Sequence, residues 1–174
     1  MTEPPPRPTP SAGAGQLTAF KSRGFFPADF ATVESDKVYA CGAYWSMLRF
    51  LAFPAVLPSM SLVAVIEIPF HANHADHSLL MKLVDLDDKP LGLHVEGAFR
   101  AAPAIEHRYG QPGITSIAVP IQGLALERPG EYSFTLTVDE SEIDRYRFSV
   151  VQVASVALMQ GLPTPPTSPY PPGE

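Results

Sequence analysis

The sequence predicts an all-β fold, an antiparallel β-sandwich of about seven to eight strands with proline-rich tails. Three observations predict it. Apolar runs recur between turn residues every eight to fifteen positions from about residue 24 to 152. Within most runs apolar and polar side chains alternate with period two, as they do on a half-buried strand. No strong amphipathic helical stretch separates the runs, so consecutive strands pair antiparallel rather than through helical crossovers.

In chain order, residues 24–32 read as a first strand, and 37–50 as a long strand apolar on both faces with Gly42 as a bulge. In residues 60–70, Met60, Leu62, Ala64, Ile66 and Ile68 share one face while Val63 and Val65 take the other, so this strand is expected to be covered on both sides. Residues 79–86 follow as its hairpin partner. An acidic turn at 85–90 leads to 91–99, where Leu91, Leu93, Val95 and Phe99 point inward and His94 and Glu96 outward. In 116–122 the inward set is Ile117, Val119 and Ile121. Pro120 leaves the ladder one donor short, which marks an edge strand. Pro129 and Gly130 form a turn before 131–139, with Tyr132, Phe134, Leu136 and Val138 buried and Ser133, Thr135 and Thr137 wet. Residues 139–142 turn the chain into 145–151, where Tyr146, Phe148 and Val150 alternate inward. Residues 153–160 fit either a strand or a helix.

Proline marks the boundaries. Of 20 prolines, five lie in the first ten residues and six between Pro163 and Pro172. Proline fixes φ and removes a donor, so both ends favour extended polyproline II and do not build a sheet. The division is a tail and lead-in over 1–23, a β domain over 24–153, and an extension and tail over 154–174.

The 174 residues are 45% hydrophobic and 17% charged, with a formal charge of −6. That balance exerts no pull toward nucleic acid. The single cysteine, Cys41, lies in an apolar run and is read as a buried small hydrophobe, so the fold does not depend on an oxidising compartment. The start of the chain lacks the basic and apolar regions of a signal peptide, and no run reaches the roughly 20 apolar residues of a membrane helix. A cytoplasmic location is the expectation.

The stretch 129–138 (PGEYSFTLTV) resembles the penultimate strand of many bacterial immunoglobulin-like domains. With 29–39 (DFATVESDKVY), 65–77 (VIEIPFHANHADH) and 79–91 (LLMKLVDLDDKPL), in that order, the chain resembles an uncharacterised bacterial β-sandwich family over about residues 24–152. The family's short Asp-Gly turn is replaced here by Asp87, Asp88, Lys89 and Pro90. The resemblance implies an immunoglobulin-like sandwich in a cytoplasmic bacterial protein. It implies no activity and carries over no catalytic residue.

Catalytic motifs are absent: there is no Gly-x-Ser-x-Gly elbow, no His-Glu-x-x-His and no phosphate-binding glycine loop. No cofactor motif is present. One cluster has ligand chemistry: His71, His74, Asp76 and His77 supply three imidazoles and a carboxylate suited to zinc or nickel. A tight loop would gather them, whereas an extended strand would hold His71 and His77 about 20 Å apart. The other reading is a polar connection braced by hydrogen bonds to the backbone. Asp85, Asp87 and Asp88 fit either a calcium cup or an Asx-type hairpin turn.

Two segments point to protein contacts. Residues 50–58 are apolar yet hold two prolines, so Phe50, Leu51, Phe53, Val56 and Leu57 form either an exposed contact surface or a cap on the core. The C-terminal tail carries Pro-x-x-Pro spacings around Tyr170, a pattern that docks in aromatic grooves. The leading expectation is a non-catalytic protein-binding or scaffold module, with a protein partner or a second copy, and neither nucleic acid nor membrane. The alternative is a metal-binding protein or metal-dependent enzyme built on the histidine loop.

Overall fold

The computed structural model describes residues 19–100 and 110–154. Both proline-rich tails, Tyr170, His107 and residues 155–160 lie outside the described residues. The ten strands are Lys21–Ala28 (β1), Phe30–Glu34 (β2), Lys37–Cys41 (β3), Met47–Phe50 (β4), Ala55–Ile68 (β5), Asp76–Asp85 (β6), Pro90–Arg100 (β7), Gly113–Leu126 (β8), Gly130–Val138 (β9) and Ser141–Gln152 (β10). A single 3-10 turn, Phe70–Ala72, is the only helical element among the described residues.

The strands form a three-stranded sheet ordered β1-β5-β8, a five-stranded sheet ordered β4-β10-β9-β6-β7, and a two-stranded ribbon of β2 and β3. All pairs are antiparallel except β4 with β10, which run parallel. The all-β expectation holds, as does the hairpin of β6 with β7 and that of β9 with β10. β8 is an edge strand of its sheet, as Pro120 implies.

Three strand assignments need correction. Residues 60–70 pair with β1 and β8, not with residues 79–86. The chain crosses from one sheet to the other through residues 69–75, so neighbours in sequence are not neighbours in the ladder. The run 24–32 is two strands, because the chain leaves β5 at Asp29 and pairs with β3 instead. The run 37–50 is also two strands, β3 and β4, which belong to different sheets.

One core joins the two larger sheets. Leu62, Ala64, Ile66 and Ile68 of β5, Met81 and Leu83 of β6, and Phe134, Leu136 and Val138 of β9 are all buried in it. Alternation along each strand puts these residues on the facing sides. β5 is covered on its other face too, as expected. There Val63 packs with Phe26, Ala28 and Ala31 under the ribbon.

The outer face of the five-stranded sheet departs from simple alternation. Ser133 and Thr135 are buried rather than wet. β9 is flanked on both sides, with Lys82 and Arg145 opposite Thr135, and Val84 and Arg147 opposite Ser133. The aliphatic stems of the long cations shade the small hydroxyl side chains between them.

The ribbon is held where the chain turns away from the body. The Asp29 amide donates to the Cys41 carbonyl at 3.1 Å, and the Ala31 amide donates to Ser61 Oγ at 3.1 Å. Ser35 and Asp36 both have positive φ, the signature of a two-residue type I′ hairpin turn. Gly42 has φ +62°, and a Cβ there would stand 2.0 Å from Asp29 Oδ2. Gly42→Ala is therefore expected to cost about 1–2 kcal/mol for the left-handed backbone and to displace the Asp29 carboxylate. A urea melt of the variant checks this.

Candidate functional site

The ribbon presents one face to the body and one to solvent, and the parity of its strands decides which side chains go where. Ala31 and Val38 point inward onto Phe26, Ala28 and Val63. Phe30 and Thr32 lie opposite Cys41 and Tyr39 in the register, so these four share the outward face. Phe30 is 59% exposed, Tyr39 is 52% exposed, and the Cys41 thiol is exposed as well. Cys41 is thus not the buried hydrophobe expected, because it shares the outward parity of Tyr39 at the end of a ribbon strand in which only Val38 is partly covered.

Beside this face runs a groove of about 480 Å³ between the ribbon and the outer side of β5 and β8. Phe30, Thr32, Ser59, Pro120 and Gln122 line it, and Asp29 stands in its wall. The glutamate Glu34 and the turn residue Asp36 add further exposed carboxylates on the ribbon, with Lys37 the cation among them. An exposed apolar face rimmed by charge is a surface built for contact.

A second constellation lies at the start of β6. His77 is only 6% exposed. Its Nδ1 is 2.8 Å from Asp139 Oδ2 and its Nε2 is 2.7 Å from the Ala72 carbonyl oxygen. A carbonyl and a carboxylate only accept, so this geometry favours the imidazolium, the form in which both ring nitrogens donate. Burial opposes that charge. The hydrogen bonds to Ala72 and Asp139 outweigh it and raise the pKa above the ordinary histidine value. For Asp139, burial acts upward, but the bond from His77 and the 2.9 Å bond from the Ser78 amide bring it below the usual carboxylate value. Phe20 meets the ring edge-on at 4.8 Å and Phe99 lies at 5.5 Å. His77 therefore ties together Phe20 ahead of β1, the 3-10 turn, β7 and the β9–β10 turn. Both of its ring nitrogens are engaged by acceptors, so the contacts it makes hold these segments together.

The proposed metal set is not gathered. His71 and His74 are exposed, and His74 sits at φ +68° in the turn. Asp76 is held by Arg100 through two bonds of 2.7 and 2.8 Å. His77 faces inward with both nitrogens engaged. Among the described residues no three His, Cys, Asp or Glu side chains are placed to hold a metal ion. The physical reason is that His77 points inward, where the Ala72 carbonyl and the Asp139 carboxylate take both of its ring nitrogens.

The acidic turn takes the Asx form. Asp85 Oδ1 accepts from the amides of Asp87 and Lys89, each at 3.0 Å, and Asp88 pairs with Arg145. The 50–58 segment divides. Phe50, Phe53 and Leu57 pack against the core, with the two rings edge-on at 5.9 Å, while Leu51 and Val56 stay exposed. From Ala55 onward it is strand, paired to β8.

A family model described as a family of unknown function, DUF6941, matches residues 23–151, which takes in β2 to β9 entirely. The chain belongs to this family.

No curated protein matches the sequence. Among solved structures the DUF6941 chain is similar to the β-glucosidase from Listeria innocua in complex with glucose. The TM-score is 0.38 and the identity 11%, covering 76% of this chain and 16% of that one. It is similar also to the Pseudomonas fluorescens alkylpurine DNA glycosylase AlkC bound to DNA containing an abasic site analog, with a TM-score of 0.37 and 8% identity. That match covers 76% of this chain and 30% of the glycosylase. The chain spans less than a third of either protein, and neither likeness bears on what it does.

The outward ribbon face of this DUF6941 chain does not emerge from a reading that places Phe30 in one first strand over 24–32 and Tyr39 in one long strand over 37–50. A signal was present: Glu34, Ser35, Asp36 and Lys37 make a tight polar turn between two short alternating runs.

Proposed function

We propose that this DUF6941 chain is a non-catalytic protein-binding or scaffold module of the cytoplasm, with the ribbon face as its contact surface. The observation that carries the reading is the pair of exposed aromatic rings, Phe30 and Tyr39, on one face of a ribbon that is itself anchored to the body. Aromatic side chains give large, stiff contact area and are enriched where proteins bind proteins. The net charge of −6 favours a protein partner over nucleic acid. No helix among the described residues is long and apolar enough to cross a membrane. The shared core between the three- and five-stranded sheets supports an immunoglobulin-like sandwich as the scaffold.

The double variant Phe30→Ser, Tyr39→Ser tests the reading. Both residues are exposed, so folding stability is expected to change by less than about 0.5 kcal/mol. Retention of a partner from the native cell extract is expected to weaken by about tenfold or more. Equal retention by the parent chain and the folded variant would contradict the assignment.

A further inference from the structure

Among the described residues β7 is paired on one side only, by β6, and it closes the five-stranded sheet. The open side of such a strand offers N–H and C=O groups that another strand can take up. We propose that β7 pairs with β7 of a second copy, antiparallel about a two-fold axis at Val95, so that one sheet runs through a reversible homodimer.

The choice of a second copy comes from the sequence of β7 itself. A two-fold axis normal to the sheet keeps the inward faces of both copies on the same side. Placed at Val95, it sets His94 opposite Glu96 of the second copy, and Glu96 opposite His94 of the second copy. Both side chains point outward, 55% and 71% exposed. Within one chain His94 Nε2 already meets Glu96 Oε1 at 2.6 Å, so Nδ1 and Oε2 are the atoms offered across the axis. Two crossings then make a closed set of two imidazoles and two carboxylates. Opposite charges facing each other across a ladder stabilise it, and like charges oppose it. Moving the axis one residue either way loses this match. An axis at His94 sets the two imidazoles against each other, and one at Glu96 sets the two carboxylates against each other.

The inward side agrees with the same register. Leu93 falls opposite Gly97, and Leu91 opposite Phe99. Leu91, Leu93, Val95 and Phe99 pack on the core but are only partly buried, so a second strand covers what they expose. Gly97 leaves room for the facing Leu93, since a Cβ there would meet nothing within 4 Å. The ladder with β6 is irregular between Lys82 and Leu83, where Gly92 has φ +25°. Val95 and its two neighbours lie beyond that irregularity, in a stretch without the lysine or proline that commonly blunts an edge.

Sedimentation velocity of the full chain over two decades of concentration tests the proposal. The expected result is a reversible monomer–dimer equilibrium. His94→Glu and Glu96→Lys each set like charges across the axis and are expected to weaken it about tenfold or more. Both positions are exposed, and matching thermal melts confirm that the variants fold. The decisive arm mixes the two variants. In the mixed pair every crossing again joins opposite charges, so the dimer is expected to recover beyond what either variant forms alone. A chain that stays monomeric overturns the proposal. So does a dimer that both variants leave intact, and so does a mixture without recovery. The ribbon reading stands apart from these outcomes, because partner retention by Phe30→Ser, Tyr39→Ser decides it. A crosslink from β7 joins two copies of this chain, whereas one from the ribbon joins the external partner.

Discussion

Phe134→Ala is expected to destabilise the domain by about 3–5 kcal/mol, the usual cost of deleting a fully buried aromatic ring. Phe134 has no exposed surface and sits at the middle of β9, the central strand of the five-stranded sheet. Its ring stacks on Phe148 at 4.8 Å and meets Trp45 edge-on at 6.3 Å. Leu83 and Tyr146 are its partners on the strands either side. Removing the ring takes away apolar burial and leaves a cavity that these rigid strand neighbours do not close. Ordinary domains have only about 5–15 kcal/mol in hand, so the loss is a large fraction of the whole. Urea unfolding followed by Trp45 fluorescence measures it. The midpoint is expected to fall at unchanged slope, which marks a change in stability rather than in unfolded-state compactness. A loss below about 1 kcal/mol would mean that the two sheets do not share the tight core described.

The second large effect belongs to His77. His77→Gln is expected to cost about 2–3 kcal/mol at mildly acid pH, because it removes charge-assisted bonds from a buried site and leaves acceptors short of donors. The share from Asp139 is reduced by solvent, since that carboxylate is 43% exposed. The pH dependence has a definite sign. The folded pKa of His77 is raised above 6.5, so its contribution is complete below that value and is lost as pH rises through the folded pKa. The folded pKa of Asp139 is lowered below 3.8, so its contribution is present above that value and lost as pH falls through the folded one. Stability from the pair is therefore greatest between about 3.8 and 6.5 and declines on the alkaline side. Asp76 adds to the field on His77, while the Arg100 guanidinium beside Asp76 tempers it. Chemical melts at a series of pH values are expected to show this decline in the parent and its absence in His77→Gln. Identical profiles would show that the ring is not held as an imidazolium.

Much of the strand content was legible because alternation is a local property. Tyr132, Phe134, Leu136 and Val138 read as one buried face, and they are. Pairing was less legible, since a ladder depends on where the chain crosses between sheets. Nothing in residues 65–77 announces that β5 and β6 part company there. The burial of Ser133 and Thr135 depends on neighbours from β6 and β10 and is likewise invisible along β9 alone. For the histidine cluster, strand parity was legible in the sequence. His77 shares parity with Leu79, Met81 and Leu83, which places it on the inward face, while His71 and His74 are exposed. Residue type alone suggests a ligand set, whereas in the structure His77 and Asp76 are engaged by other partners. The ribbon face was hidden for a related reason: Phe30 and Tyr39 look like core residues until the break at Asp29 turns their strands outward.

The most direct test of the protein-binding reading is photo-crosslinking from the ribbon in the native cell. A photoreactive phenylalanine analogue replaces Tyr39 in one chain and His94, exposed on β7, in a control chain. The account predicts a discrete protein adduct from position 39 that is absent from position 94. No adduct from position 39, or the same adducts from both positions, would contradict the assignment of the ribbon as the contact face.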